Sequence, residues 1–158
     1  MKQQRIFLGV LLSGLGAFFL TNQYSLPYQE QVASWPSILL IIGLAFLLQS
    51  ILGKDTSSLF PGLILIGLGI HFHGLSLIPS WPEHWGMYTL IVGISFLLVY
   101  VRTKKEGLIP GLLLTIFSIV AFLSIDPVEW LQPTHKIVLD LWPIVLICIG
   151  LFFILKRK

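Results

Sequence analysis

The chain has 158 residues, of which 56% are hydrophobic and only 11% charged. A soluble domain carries roughly 25% charged residues, so the polar surface here is too small to cover a globule in water. The net charge of +3 is split into short basic clusters between apolar runs, which is the pattern of membrane topology and not of a nucleic-acid surface.

Six uncharged apolar runs follow in order, at 6–20, 38–52, 59–70, 87–101, 108–125 and 141–155. Crossing a hydrocarbon core takes about 20 helical residues, with a usable range of about 17–25, and each run with its flanks falls near the short end. Stretches such as 37–48 and 108–114 do not alternate apolar and polar residues as barrel strands do. In lipid a helix satisfies its own backbone hydrogen bonds. The expectation is an all-α integral membrane protein with six transmembrane helices. The first run has the basic start of a signal peptide, but Thr21-Asn22-Gln23-Tyr24 follows it with no small-residue cleavage site, so it is expected to remain as the first span.

One pattern recurs three times: Trp35–Gly43–Phe46, Trp85–Gly93–Phe96 and Trp142–Gly150–Phe153. Upstream of each lies another apolar run with an early glycine, at Gly9, Gly62 and Gly111. The first two tryptophans are 50 positions apart and the next two 57. The chain therefore reads as one two-helix unit written three times, within a single transmembrane domain, 1–158. The hairpins are 5–53, 59–103 and 107–158. Each has two spans, so all three keep one orientation and are parallel repeats.

Small or helix-breaking residues recur seven apart in every span: Gly9/Gly16, Pro36/Gly43, Gly62/Gly69, Gly86/Gly93, Gly111/Ser118 and Pro143/Gly150. Seven residues is close to two helical turns, so each pair shares a face. Small side chains let helices approach closely, which drives association in lipid. Gly9, Gly16, Gly43, Gly62, Gly69, Gly93, Gly111 and Gly150 are the expected packing positions. The phenylalanine three residues past each second-helix glycine is expected to fill space between hairpins or to face lipid. Pro36, Pro61 and Pro110 open apolar runs, where a missing N–H costs nothing.

With a cytoplasmic N-terminus, nine of the ten Lys and Arg residues lie inside and Lys136 alone lies outside. The positive-inside rule makes this a multi-pass membrane protein with both termini cytoplasmic. Trp35, Trp81, Trp85, Trp130 and Trp142 all fall at the outer ends, where an indole is half wet.

The middle of every span lacks Asp, Glu, Lys and Arg, which argues against an ion-coupled transporter or a proton relay. His71 and His73 are about 200° apart on a helix and cannot grip one metal together. They are expected to be neutral, hydrogen-bonded histidines near the interface. Cys148 reads as an apolar filler. No G-x-S-x-G, H-E-x-x-H or phosphate-loop motif is present, so no catalytic, cofactor or metal site is assigned and no enzyme is expected. The basic segment 102–106 and Lys156-Arg157-Lys158 are suited to anionic lipid, although topology alone explains them.

The unit Gly-x6-Gly, a loop, then Trp-Pro-x6-Gly-h-x-Phe resembles the two-helix transmembrane module of the LiaI/LiaF-like family of bacterial envelope-stress systems. Unit one matches at Gly9, Gly16, Trp35, Pro36 and Gly43. Unit two matches at Gly62, Gly69, Trp85 and Gly93, with Gly86 in place of the proline. Unit three matches at Gly111, Trp142, Pro143 and Gly150, with Ser118 in place of the second glycine. The resemblance implies a bacterial plasma-membrane protein that anchors or regulates partners. The LiaF type carries a soluble C-terminal domain. Only Lys156-Arg157-Lys158 follows the last run here, so kinase inhibition through such a domain is not expected.

The functional expectation is a structural or regulatory protein acting through helix contacts with membrane lipid, other membrane proteins or itself, with no nucleic-acid partner. The alternative is a small neutral-solute facilitator with a pore between hairpins, running past Gly43, Gly93 and Gly150.

Overall fold

The computed structural model describes residues 2–24 and 33–123. These form five helices: α1 (Lys2–Gln23), α2 (Trp35–Gly53), α3 (Leu59–Leu77), α4 (Gly86–Thr103) and α5 (Leu108–Leu123). A 3-10 turn, Thr56–Ser58, leads into α3, and no strand occurs among the described residues. Residues 1–122 form one compact unit. Four stretches are long and apolar enough to span a bilayer: Gln4–Thr21, Trp35–Gly53, Thr56–Leu77 and Gly86–Thr103. The fifth helix, at 16 residues, is shorter. The expected sixth span at 141–155 lies outside the described residues, as do Trp130, Trp142, Pro143, Cys148, Gly150 and Phe153.

Burial runs opposite to that of a water-soluble protein. The buried helical positions are mostly small: Gly43, Ala45 and Ser50 on α2, Gly62, Gly69 and Gly74 on α3, Gly86, Gly93 and Ser95 on α4, and Gly111, Ser118 and Ala121 on α5. Large apolar side chains such as Leu12, Phe19, Ile109, Leu113 and Phe117 point outward. In water this arrangement would be unstable. In lipid the tails solvate Leu and Phe, and only close backbone packing and hydrogen bonds favour one helix neighbour over another. The chain is a membrane protein.

Consecutive helices run antiparallel. Phe7 meets Phe46 across α1 and α2 at 4.7 Å between ring centroids, Trp35 meets Phe72 across α2 and α3 at 4.6 Å, and Phe60 meets Phe96 across α3 and α4 at 4.3 Å. The rings of the phenylalanines three past Gly43 and Gly93 therefore pair with the preceding helix of their own two-helix unit, while the Phe46 Cβ also lies against Gly62 of the next. The third helix runs past the apolar segment 59–70 to Leu77 because His71 and His73 find hydrogen-bond partners inside the bundle.

The turns at the basic end are built differently. Helices α2 and α4 both close on a lysine in the left-handed region, Lys54 at φ 57° and Lys104 at φ 56°. After Lys54, the Asp55 carboxylate accepts from the Ser57 N–H at 3.1 Å, the Ser57 and Ser58 hydroxyls at 2.6 Å each, and the Gln49 amide at 3.0 Å. Led by the Ser57 hydroxyl, these donors hold the carboxyl at about 2. Because the folded value lies below the unfolded one near 3.9, this stabilisation is complete above about pH 4 and is lost as pH falls toward 2. Thermal unfolding of detergent-solubilised protein is expected to be flat from pH 7 to about 4 and to weaken below it. Asp55→Asn removes that acid-dependent component.

Candidate functional site

Two backbones approach closely where α2 crosses α3. A Cβ placed on Gly43 would lie 2.9 Å from the Ile66 backbone nitrogen and 3.0 Å from the Gly62 carbonyl oxygen. A Cβ on Gly62 would lie 3.0 Å from the Leu47 nitrogen and 3.1 Å from the Gly43 oxygen. The same contact joins α4 and α5: a Cβ on Gly93 would lie 2.9 Å from the Thr115 nitrogen, and one on Gly111 3.0 Å from the Leu97 nitrogen. The partners advance in step, 43 to 93, 47 to 97, 62 to 111 and 66 to 115, always by 49 or 50 positions. Further along, a Cβ on Gly69 would meet the Pro36 oxygen at 3.2 Å, and at the corresponding place the Ser118 hydroxyl donates to the Gly86 carbonyl at 2.7 Å. Serine thus replaces glycine where its hydroxyl can use the carbonyl that glycine only makes room for.

The contacts inside each two-helix unit also recur. Gly14 leaves room for Ile41, and Gly67 leaves room for Ile91, again 53 and 50 positions on. Gly14 and Gly67 were not among the packing positions expected from sequence. No glycine lies seven positions from Gly14, and Gly67, seven before Gly74, is brought out as a packing position only by a register built on the repeat.

Gly9 and Gly16 have no helix packed against them among the described residues. Both are exposed, and a Cβ on either would meet nothing within 4 Å. The physical reason lies in the register. Gly62 and Gly69 face the helix before them, as do Gly111 and Ser118, but among the described residues no helix precedes α1. Gly9, Ser13 and Gly16 are therefore an open small-residue face. Gly43 and Gly93, which an inter-hairpin pore would need on its wall, are instead filled by the next helix.

At the opposite end, the 78–85 loop folds Trp81 back over Gly74, whose missing side chain makes room for the indole. The Trp81 Nε1–H donates to His71 Nδ1 at 2.9 Å. An indole N–H only donates, so His71 presents its bare nitrogen and carries its proton on Nε2. His71 is 2% exposed and lies edge-on to Tyr88 at 5.1 Å. His73 pairs through Nε2 with the Ser37 hydroxyl at 3.1 Å. The two histidines thus turn to different neighbours, and both are hydrogen-bonded as expected. His84 Nδ1 accepts from the Gly86 N–H at 3.0 Å, fixing the start of α4. Trp35 stands exposed over Phe72, whereas Trp85 turns inward beside Phe117 at 5.6 Å. Among the described residues no group of three or more His, Cys, Asp or Glu side chains is placed to hold a metal ion.

Residues 6–47, covering most of α1 and α2, match the family described as the LiaI-LiaF-like transmembrane region. The whole chain is similar to the uncharacterized membrane protein YsxD of Bacillus subtilis (strain 168), with 29% identity over 100% of this chain and 98% of the relative. No solved structure matches.

Proposed function

We propose that this protein is a non-catalytic regulatory or structural component of the bacterial plasma membrane, acting through helix contacts with other membrane proteins or with a second copy of itself. The observation that carries the reading is the open Gly9–Ser13–Gly16 face of α1. Equivalent faces on α3 and α5 each receive a helix at backbone distance, so this face is suited to receive one from another chain. The recurring contacts support a description of the chain as three tandem hairpins, 5–53, 59–103 and 107–158, making six spans with both termini cytoplasmic. The match at 6–47 supports a role in envelope-stress sensing, the setting of the family that the sequence resembles.

The competing reading, a neutral-solute facilitator, is tested in liposomes. Purified protein is expected to move no small neutral solute in a saturable way, while deletion in cells alters envelope-stress reporter output. Saturable flux abolished by Gly43→Leu, with no change in the reporter on deletion, would replace the proposed function with transport.

A further inference from the structure

The basic end carries a cleft of about 540 Å³ between the two turns, lined by Thr56, Val99, Arg102, Thr103, Lys105 and Glu106 among others. Neither the Arg102 guanidinium nor the Lys105 ammonium is ion-paired among the described residues. Lys104 is directed elsewhere, over the Tyr100 ring at 5.7 Å. Asp55 is already engaged by four donor contacts from Gln49, Ser57 and Ser58, and among the described residues Glu106 is the one carboxylate lining the cleft. The lining therefore carries one more positive charge than negative.

A second, almost wholly apolar groove of about 210 Å³ lies along α3 and α4, between Leu63 and Gly67 on one side and Ile91, Ile94 and Leu98 on the other. Leu98 and Arg102 are four residues apart on α4, one turn or about 6 Å along the axis. An apolar channel at chain depth thus ends within a turn of Arg102, which shares the cleft with Lys105 at headgroup depth. A free anion would use only the cleft, whereas a molecule with a phosphate head and a hydrocarbon chain uses both.

We propose that the α3–α4 groove and the cleft above it form a seat for one anionic glycerophospholipid, its phosphate held by Arg102 and Lys105 and one acyl chain laid along Ile91, Ile94 and Leu98. Thr56 lies beside the phosphate position as a hydroxyl partner. Glu106 opposes an extra negative charge and limits the seat to a singly charged head.

The test uses the full-length protein in nanodiscs of phosphatidylcholine containing a minority of phosphatidylglycerol, with co-purifying lipid counted by native mass spectrometry. The wild-type protein is expected to retain phosphatidylglycerol above its bulk fraction. R102Q/K105Q is expected to reduce that enrichment by roughly thirtyfold, at about 1 kcal/mol per basic residue. Ile94→Trp, which fills the groove without touching a charge, reduces it as well, and Glu106→Gln raises it. Circular dichroism of each variant checks that the helices remain. Enrichment unchanged in R102Q/K105Q or in I94W overturns the seat. Displacement of the lipid by millimolar glycerol phosphate also overturns it and makes the cleft a site for a free anion. In parallel nanodiscs that also contain phosphatidylethanolamine, a preference for that lipid that disappears in E106Q overturns the anionic assignment.

Discussion

Replacing Gly43 with leucine is expected to separate α2 from α3 and to produce the largest single-site loss of stability in the described bundle. The reason is what the new side chain would meet. The first added carbon lies 2.9 Å from a backbone nitrogen and 3.0 Å from a carbonyl oxygen, and neither can rotate away. Relief requires movement of a whole helix. Overpacking of this kind costs about 1–3 kcal/mol and occasionally more, and here the separation also removes the contact that drives association in lipid. Gly93→Leu meets the Thr115 backbone in the same way and is expected to behave alike. Gly67→Ala is milder, because only the Ile91 side chain stands in the way and a side chain can change rotamer. Gly9→Leu and Gly16→Leu are expected to leave monomer stability within about 0.5 kcal/mol of wild type, the usual range for an uncontacted surface site. Unfolding in mixed micelles by increasing SDS ranks the five variants. A ranking with Gly9 or Gly16 above Gly43 would contradict the packing described.

The second large effect is expected at His71. His71→Leu keeps approximate volume but leaves the Trp81 indole N–H facing an apolar side chain. A buried unsatisfied donor costs about 1–3 kcal/mol. An average interhelical hydrogen bond within a bilayer is worth only about 0.6 kcal/mol, because the unfolded helices also find partners there. The 2% exposure of His71 places the expected loss toward the upper value. Trp81→Phe separates the two contributions. It keeps an aromatic ring over Gly74 and removes the donor, leaving only the His71 Nδ1 acceptor without its partner, so its cost is expected to be smaller. Gly74→Leu displaces the ring entirely and is expected to exceed both. Near-UV circular dichroism follows the ordered indole, and the SDS midpoint follows stability. Equal midpoints for H71L and wild type would show that the Trp81–His71 bond carries no stability.

Much of this fold was legible in the chain because the bilayer reduces the choices. Long uncharged runs become helices, since nothing else satisfies the backbone in lipid. Pro36/Gly43, Gly62/Gly69, Gly86/Gly93 and Gly111/Ser118, each pair spaced by seven, are buried. Gly9/Gly16 have no such neighbour among the described residues, because periodicity says that residues share a face, not that a neighbour occupies it. Gly74 shows another limit. Its role depends on a loop folding Trp81 back over α3, and no local pattern encodes that return. The cleft at Arg102 and Lys105 was hidden for a different reason. Topology accounts for basic residues at that end of the spans, so their pairing state becomes informative only once the turns are placed around them.

The proposed action through partner helices is tested most directly by site-specific photocrosslinking in living cells. A benzophenone side chain at Leu12, which is 67% exposed and lies beside the Gly9–Gly16 face, is expected to form discrete adducts with membrane proteins or with a second copy of the chain. The same probe at Ile66, packed against Gly43, is expected to react only within the chain. Lipid adducts alone from Leu12, in both resting and envelope-stressed cells, would contradict the account.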